Sequence, residues 1–326
     1  MMADANLNAT LDVIVSRKWN EAQDIYGFEF VSADGGALPP FSAGAHIDVH
    51  LPGGLIRQYS LCNDPASTQR YQIAVLRDEN GRGGSRAIHD AVEEGSALTI
   101  GAPRNHFPLA HGAPHHLLIA GGIGITPILC MAERLSNADE TFDLHYCTRS
   151  RERTAFASRI AAAPFGARAS FHFDDEAPAQ RFDIAATLAN APAGSHLYVC
   201  GPRGFMDAVL AQARDQQWDE ARLHYEFFGA VVEQSDTDTA FKVRIASSGA
   251  TIEVPAGCTV IEALATNGVD VLTSCEQGVC GTCLTRVIEG QPDHRDAYLT
   301  DEEKAAGDQF LPCCSRSHTP LLVLDL

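Results

Sequence analysis

Apolar and polar residues alternate with a period of two in short runs through residues 1 to about 110. Gly35-Gly36, Pro39-Pro40 and Gly53-Gly54 separate these runs, and such residues favour turns. One helix-like stretch, Arg86 to Val92, interrupts them. Many short strands with a single helix predict a small antiparallel β-barrel. Examples of the predicted strands are Leu11–Val15, His46–Leu51, Tyr59–Cys62, Tyr71–Leu76 and Ala97–Ile100.

The pattern changes after residue 110, where continuous apolar runs alternate with helix-like stretches. That order is typical of β-α-β units and predicts an α/β domain with a parallel sheet over 111–228. The predicted strands are Leu117–Ala120, Leu144–Cys147, Ala169–Phe173 and Leu197–Cys200.

A polar segment, 229–239, follows and is expected to be a linker that lets the last part of the chain reorient. Residues 240–326 then form a small α+β module, for which a β-grasp fold is expected. The chain is therefore predicted to be multidomain, with boundaries 1–110, 111–228, 229–239 and 240–326.

The 326 residues carry a formal charge of −18, which argues against nucleic-acid binding. Positions 239–326 hold six Lys and Arg against twelve Asp and Glu, so this module suits a basic protein partner or is simply a solvated acidic surface. Neither a signal-peptide pattern nor an apolar run long enough to span a bilayer is seen. A cytoplasmic protein without membrane contact is expected, with most cysteines outside the motif below reduced and buried.

Four of the ten cysteines stand in a distinctive spacing near the end of the chain. Cys275, Cys280 and Cys283 form a Cys-x4-Cys-x2-Cys run, and Cys313 follows. This is the ligand spacing of a plant-type 2Fe–2S cluster. A structural zinc site is the alternative, although zinc sites usually use two paired Cys-x-x-Cys units. Cys314 is a rival fourth ligand, and the spacing favours Cys313.

Two motifs in the first domain suggest a flavin phosphate. Arg57-Gln58-Tyr59-Ser60 provides an arginine for a phosphate, a tyrosine to lie along a flavin ring and a serine for its edge. Gly81-Arg82-Gly83-Gly84-Ser85 precedes a helix and favours an anion site built from backbone N–H groups. An ordinary exposed strand and an ordinary hairpin turn are the alternatives.

Two motifs in the second domain suggest a nicotinamide nucleotide. Gly121-Gly122-Ile123-Gly124-Ile125-Thr126-Pro127 follows a predicted strand and begins a helix, where a pyrophosphate binds. Cys200-Gly201-Pro202 ends a later strand, so both motifs are expected at the carboxyl edge of the sheet. A bare glycine turn is the alternative for the first motif, and a packing or nicotinamide-adjacent role suits Cys200 better than nucleophilic catalysis.

Taken together, these motifs closely resemble the phthalate dioxygenase reductase family, over nearly the whole chain and in the same domain order. The resemblance implies FMN, NADH and a 2Fe–2S cluster, with the chemistry carried by cofactors and no catalytic side chain. It implies metal ligands Cys275, Cys280, Cys283 and Cys313. It implies FMN contacts from Arg57, Tyr59, Ser60, Ala74, Val75, Gly84, Ser85 and Phe228. It implies NADH contacts from Gly122, Gly124, Thr126, Cys200, Gly201 and Pro202.

The resemblance further implies an NADH-dependent reductase, a monomer, that passes electrons to a Rieske non-haem iron oxygenase. Arg149, Arg151 and Arg153 follow the second strand of the nucleotide domain, where a basic pocket would favour NADPH, so the coenzyme stays open. Two alternatives to the function remain. One is a reductase for a diiron monooxygenase or cytochrome P450, and the other is a non-enzymatic ferredoxin-like carrier or redox sensor. The Asp293-His294-Arg295-Asp296 motif also matches the family and is expected to be structural or docking.

Overall fold

The computed structural model describes residues 9–79, 83–177, 181–228, 238–273, 275–276 and 278–326. The chain divides into two compact units, Met1–Glu226 and Phe227–Leu326. The first unit contains a six-stranded and a five-stranded sheet. The second unit contains a five-stranded sheet and a two-stranded one. Most of the expected linker, 229–237, lies outside the described residues.

The first unit begins with an antiparallel sheet and one short helix, α1 (Gly84–Ala91). Its strands are β1 (Thr10–Ala22), β2 (Ile25–Ser32), β3 (His46–Leu51), β4 (Leu55–Ser60), β5 (Tyr71–Leu76) and β6 (Ala97–Gly101). They lie in the order β4-β3-β6-β1-β2-β5. Side chains from this sheet enclose one core, in which Phe28, Ile47 and Ile73 are fully buried. The predicted antiparallel domain is confirmed.

β2 is not among the strands named from the sequence, and β4 begins and ends earlier than the predicted run Tyr59–Cys62. The alternation of β2 is interrupted by Gly27, where a Cβ atom would lie 2.2 Å from ring atoms of Trp19. Only a glycine leaves room for the Trp19 indole against the strand. Position 27 therefore lacks the apolar side chain that an alternating pattern would have there. β4 ends at Ser60 instead of continuing to Cys62. Beyond Ser60 the chain changes partners, because the Cys62 N–H donates to the Gln72 carbonyl of β5.

The second sheet of this unit is wholly parallel, as the β-α-β pattern predicts. Its strands are β7 (His116–Gly121), β8 (Phe142–Thr148), β9 (Ala169–Phe173), β10 (His196–Cys200) and β11 (Leu223–Glu226), in the order β11-β10-β7-β8-β9. Its helices are α2 (Ile125–Asn137), α3 (Ala157–Ala162), α4 (Ile184–Asn190) and α5 (Arg203–Asp215). One buried core joins α2 to Ile25, Cys62 and Ala74 of the antiparallel part, so both sheets belong to one packed body.

The second unit is an α+β module built on a mixed sheet. Its strands are β12 (Phe241–Ile245), β13 (Thr251–Val254), β14 (Thr285–Glu289), β15 (Pro292–Asp293), β16 (Gln309–Phe310), β17 (Arg316–Ser317) and β18 (Leu321–Leu324). Helices α6 (Val260–Thr266) and α7 (Asp301–Ala306) complete it. The main sheet has the order β13-β12-β18-β14-β16, with β12 and β18 parallel. None of the helices in the described ranges combines the length and apolar character needed to cross a bilayer.

Candidate functional site

The four cysteines of the motif are buried and meet in two pairs. A hydrogen bond from the Cys275 thiol lowers the pKa of Cys280 to about 5. The Cys283 thiol is hydrogen-bonded to Cys313, and this bond raises the pKa of Cys283. All four side chains are at most 8% exposed. Within the described ranges no three metal-binding side chains meet at a point suited to a single ion. The structure thus brings the four predicted ligands together as two pairs, Cys275 with Cys280 and Cys283 with Cys313.

Two glycines let the loop between these cysteines curl tightly. Gly278 and Gly281 have φ values of 69° and 72°, in the left-handed region that favours glycine. A Cβ atom at Gly278 would lie 2.5 Å from the Cys314 Sγ, so Cys314 packs directly behind the loop. The Cys314 Sγ lies 3.7 Å from the Leu311 carbonyl oxygen, which accepts its S–H. Cys314 is also hydrogen-bonded to the Cys313 side chain, so it stays the neighbouring rival for the fourth ligand position.

The cysteine loop fits a 2Fe–2S cluster by its donors and their surroundings. Two thiol pairs offer two thiolates for each of two irons, which is the ligand count of such clusters. The Thr282 N–H donates to the Cys280 Sγ at 3.4 Å, and hydrogen bonds to ligand sulfurs tune the potential of a cluster. Leu299 and Leu311 pack against the Cys283–Cys313 pair and keep water from it. The donor set therefore agrees with the predicted cluster.

Arg57 and Gly84, two of the predicted flavin contacts, lie against each other. Arg57 stands in β4 with only 9% of its surface exposed. A Cβ atom at Gly84 would lie 2.5 Å from the Arg57 Cγ, so the first turn of α1 rests on the arginine stem. Among the described residues, no side chain caps α1. An arginine beside uncapped N–H groups is an arrangement that suits a phosphate.

The other predicted flavin contacts in this part of the chain differ in the groups that they could offer to a ligand. Burial raises the pKa of Tyr59, which keeps its hydroxyl protonated. The Ser85 Oγ accepts from the Asp78 N–H at 3.1 Å. Ala74 faces the core shared with α2, whereas the Val75 side chain points into the barrel core. Val75 thus offers only its backbone to a ligand, and its carbonyl already accepts from His89. Gly81 and Arg82 of the glycine motif lie outside the described residues.

The two nicotinamide motifs meet at the carboxyl edge of the parallel sheet. A Cβ atom at Gly124 would lie 2.3 Å from the Cys200 carbonyl oxygen, and one at Gly201 would lie 2.9 Å from the Gly121 Cα. Only glycines permit this approach of the two turns. The Thr126 hydroxyl donates to the Ile123 carbonyl at 3.1 Å and fixes the turn that starts α2. Two more predicted contacts lie at this edge: Gly122, which has a positive φ, and Pro202, the residue directly before α5.

A residue without a predicted role, Glu226, joins the two cofactor regions. The Ser60 hydroxyl donates to the Glu226 carboxylate at 3.3 Å, which links β4 of the antiparallel sheet to β11 of the parallel one. Cys200 stands opposite Glu226 in the register of β10 and β11. Glu226 is half-buried, and desolvation raises its pKa to about 8. Its position at the end of a parallel strand was the available sequence signal.

The raised pKa of Glu226 means that this carboxyl holds a proton near neutral pH. Burial also raises the pKa of Cys200 well above its usual range, so this thiol stays protonated and is a poor nucleophile. Ser60, Cys200 and Glu226 therefore form a group of neutral, polar side chains where a flavin edge and a nicotinamide would meet. Such a group can orient a hydride donor or hold a proton, without itself forming a covalent bond.

Phe228, the last flavin candidate, follows β11 by two residues and is 38% exposed. It belongs to the second compact unit. Gly229, which directly follows Phe228, lies outside the described residues. The assignment of Phe228 to the flavin therefore stays a prediction.

Known proteins are similar to this chain over nearly its whole length. A model described as a 2Fe-2S iron-sulfur cluster binding domain matches residues 243–318, and one described as a dimethylamine monooxygenase subunit DmmA-like N-terminal domain matches 102–223. A vanillate O-demethylase oxidoreductase of Pseudomonas sp. (strain HR199 / DSM 7063) is 53% identical over 97% of this chain and 100% of that protein. The solved structure of phthalate dioxygenase reductase superposes with a TM-score of 0.80, at 41% identity over 98% of both chains. The chain belongs to the phthalate dioxygenase reductase family.

Membership in the phthalate dioxygenase reductase family confirms the resemblance found in the motifs. The solved relative is described as a modular structure for electron transfer from pyridine nucleotides to [2Fe-2S]. The prediction of an oxidoreductase that uses a flavin and a 2Fe–2S cluster is confirmed, against the alternative of a non-enzymatic carrier. An intact type IV self-sufficient cytochrome P450 monooxygenase also superposes with a TM-score of 0.80, at 38% identity over 97% of this chain and 41% of that one.

Proposed function

We propose that the protein is the reductase component of a Rieske-type oxygenase, passing electrons from NADH through FMN and a 2Fe–2S cluster to the oxygenase. The contact of Ser60 with Glu226 carries this proposal, because it joins the antiparallel sheet to the nucleotide edge of the parallel sheet. A bound flavin accepts a hydride and releases single electrons. Ser60, Cys200 and Glu226 are proposed to orient the two rings, and the four cysteines to hold the cluster.

FMN is proposed as the flavin because Arg57 and the first turn of α1 form a place for one terminal phosphate. Arg57 supplies a fixed positive charge, and Gly84 allows α1 to approach it. Heat release of the flavin from purified protein, followed by chromatography, tests this. FMN is the expected product, and FAD would overturn the assignment.

NADH is proposed over NADPH because two of the three arginines after β8 are engaged by carboxylates. The Arg151 Nε donates to the Glu176 carboxylate at 2.5 Å, and Arg153 pairs with Asp24 at 3.0 Å. These pairs compete with a 2′-phosphate for the guanidinium groups. Initial rates with each coenzyme test the preference. A kcat/KM that favours NADPH would overturn it.

A Rieske centre is proposed as the acceptor. Plant-type clusters lie near ~−400 mV and Rieske centres at about −150 to +300 mV, so this transfer is downhill. Anaerobic mixing of the reduced protein with a vanillate demethylase oxygenase component tests the transfer through the colour change of the Rieske centre. No reduction of any Rieske oxygenase tested would contradict the proposal.

A cytochrome P450 is a second candidate acceptor. The observation that favours it is the superposition with the self-sufficient P450 monooxygenase, which covers 97% of this chain. Reduction of a ferric P450 under carbon monoxide, compared with reduction of a Rieske oxygenase at equal concentrations, distinguishes the two. A faster P450 reaction would favour the second candidate.

Three further points stay proposals. The division into 1–110, 111–228, 229–239 and 240–326 is proposed for the functional domains, and limited proteolysis at the linker tests it. A monomer is proposed, and sedimentation equilibrium tests it. A cytoplasmic location is proposed because the cluster requires reduced thiols, and fractionation of the native host tests it.

A further inference from the structure

Three large apolar side chains in the cysteine loop or near it in sequence are exposed to water. Leu272 is 70% exposed and stands three residues before Cys275. Leu284, 39% exposed, directly follows Cys283. Tyr298, also 39% exposed, approaches the same loop from the segment after β15. We call these three side chains the cluster-loop patch. Exposed apolar groups gathered at one functional loop are a mark of an interaction surface.

Contacts through Gly281 join two members of this patch. The Leu284 N–H donates to the Gly281 carbonyl at 2.9 Å. A Cβ atom at Gly281 would lie 2.3 Å from the Tyr298 Cζ, so the tyrosine ring rests directly on the loop backbone. Leu284 and Tyr298 therefore flank one point of the loop, next to Cys280 and Cys283.

A buried carboxylate holds Tyr298 in this exposed position. The Asp296 side chain has no exposed surface, and its Oδ2 accepts from the N–H groups of Tyr298 at 3.2 Å and Leu299 at 2.8 Å. The Ala297 N–H donates to the Gly278 carbonyl at 3.0 Å, which fastens the same segment to the cysteine loop. The last residue of the Asp293-His294-Arg295-Asp296 motif thus positions an exposed aromatic ring, and does not bury it.

Exposed acidic side chains stand beside the patch at both ends. Asp301 and Glu302 open α7 three residues after Tyr298, and Asp270 lies two residues before Leu272. Lys304, the cation of this helix, is directed to Asp296, since its Nζ donates to the Asp296 carbonyl at 2.9 Å. Exposed acids therefore predominate next to the patch in sequence, and the exposed Arg286, two residues after Leu284, pairs with Asp325 at 3.8 Å. An apolar centre with a charged rim is the usual anatomy of a docking site.

We propose that the cluster-loop patch docks a protein electron acceptor whose own face has an apolar centre ringed by Lys and Arg. The proposal rests on the proposed function, in which an acceptor takes electrons from the cluster, and it adds the surface and the chemistry of the partner. Leu284 and Tyr298 supply short-range contact beside the cluster. Asp270, Asp301 and Glu302 steer the basic rim and set the salt dependence of association.

The probe is ferricytochrome c, a basic haem protein that takes one electron at its haem iron. The reduced cluster loses one electron, the ferric haem becomes ferrous, and one NADH reduces two cytochromes. Tyr298→Ser and Leu284→Ser are expected to raise the KM for cytochrome c about fivefold, the loss typical of a truncated contact residue. Ile288→Ser, an equally apolar and 54% exposed position of β14, is the matched control with an unchanged KM.

Charge is tested separately from apolar contact. Glu302→Gln is expected to weaken binding of cytochrome c to the oxidised holoprotein, measured by titration calorimetry without turnover. The effect is expected at about 0.01 M ionic strength and to vanish near 1 M, where the Debye length falls from about 30 Å to about 3 Å. Glu253→Gln, an exposed acid of β13, is the control for loss of one charge.

The outcomes distinguish a failure of the proposed docking surface from a failure of the proposed electron-transfer function. Equal KM values for Tyr298→Ser, Leu284→Ser and Ile288→Ser would overturn the docking surface. If Tyr298→Ser loses the cluster absorbance, Leu284→Lys carries the test, because a cation facing a basic partner is expected to raise KM more than Leu284→Ser does. Failure of the unaltered protein to reduce ferricyanide with NADH would count against the proposed function, whatever the variants do.

Discussion

The cysteine loop and the Ser60–Glu226 contact are built in opposite ways. Three of the four cysteines stand within one short loop, so their spacing alone describes the site. Ser60, Cys200 and Glu226 come from β4, β10 and β11, and only the tertiary fold brings them together. A site made of neighbours in sequence can be recognised before the fold is known, whereas a site made by topology needs the structure.

Buried cysteines in the two regions differ in the direction of their pKa shifts. Burial raises the pKa of Cys200 well above its usual range, although a hydrogen bond with the Gly201 backbone acts in the opposite direction, and the thiol stays protonated. In the loop, a hydrogen bond from Cys275 lowers the pKa of Cys280 to about 5, although that side chain is buried as well. Burial alone therefore does not predict the pKa of a cysteine, because a neighbouring hydrogen-bond donor can lower it.

The largest effect is expected from the loss of a cluster ligand. Cys283→Ser is expected to abolish reduction of cytochrome c through the cluster while direct NADH oxidation by ferricyanide continues, since the flavin site shares no residue with the loop. Cys314→Ser is the matched control, and we expect it to keep the cluster absorbance. If both activities survived in Cys283→Ser, the cluster assignment or its place in the path would be wrong.

A smaller effect is expected from a substitution of Glu226, in the Ser60–Glu226 region. Glu226→Gln keeps the shape but removes the titrating proton, and we expect flavin reduction by NADH to slow by at least about tenfold at neutral pH. Stopped-flow absorbance of the flavin measures this rate. An unchanged rate would show that the carboxyl is a packing group.

Glu226 also predicts a dependence of stability on pH. Its pKa is about 8 in the folded chain against 4.5 for an ordinary glutamate. The folded state therefore binds the extra proton between these values, and this contribution to stability is full below about pH 4.5 and declines until about pH 8. The difference in melting temperature between pH 5 and pH 8 is expected to shrink in Glu226→Gln. An unaltered difference would contradict the raised pKa.

The contact between the two nucleotide turns gives the next effect. Gly124→Ala places a methyl group 2.3 Å from the Cys200 carbonyl oxygen, so the turns must separate. We expect a loss of about 2 kcal/mol of stability from overpacking and a rise of about fivefold in the KM for NADH. Gly204→Ala, in α5 with nothing within 4 Å, is the control and is expected to stabilise slightly. Equal melting temperatures would rule out the close approach.

The smallest effect concerns the coenzyme. Glu176→Gln is expected to release Arg151 from its ion pair and raise kcat/KM for NADPH about threefold relative to NADH, the gain from one exposed charge contact. Rates with both coenzymes measure it. Asp325→Asn, whose carboxylate pairs with Arg286 in the second unit, is the control. An unchanged ratio of kcat/KM for NADPH to that for NADH would mean that Arg151 lies away from the ribose of the bound coenzyme.

Strong local patterns predicted their elements well, and exceptions have physical causes. The bounds of β3, β5 and β9 agree with their apolar runs, because alternation or continuous burial is unbroken there. β2 was not among the strands named from the pattern, and its alternation is interrupted at Gly27, where the Trp19 ring occupies the side-chain space. Val75 was predicted beside Ala74 at the flavin, but successive residues of a strand face opposite sides, so only one of these two side chains can face the ring. The assignment of both stays a prediction. Glu226 received no role because its partner Ser60 is 166 residues away.

The central claim is that electrons enter at the Ser60–Glu226 region and leave through the four cysteines. Anaerobic rapid mixing of the holoprotein with NADH, followed by flavin absorbance and by electron paramagnetic resonance of frozen samples, tests it most directly. We expect the flavin to bleach first and the signal of one reduced 2Fe–2S cluster to grow in afterwards. A fully reduced flavin beside a cluster that stays oxidised would contradict the claim.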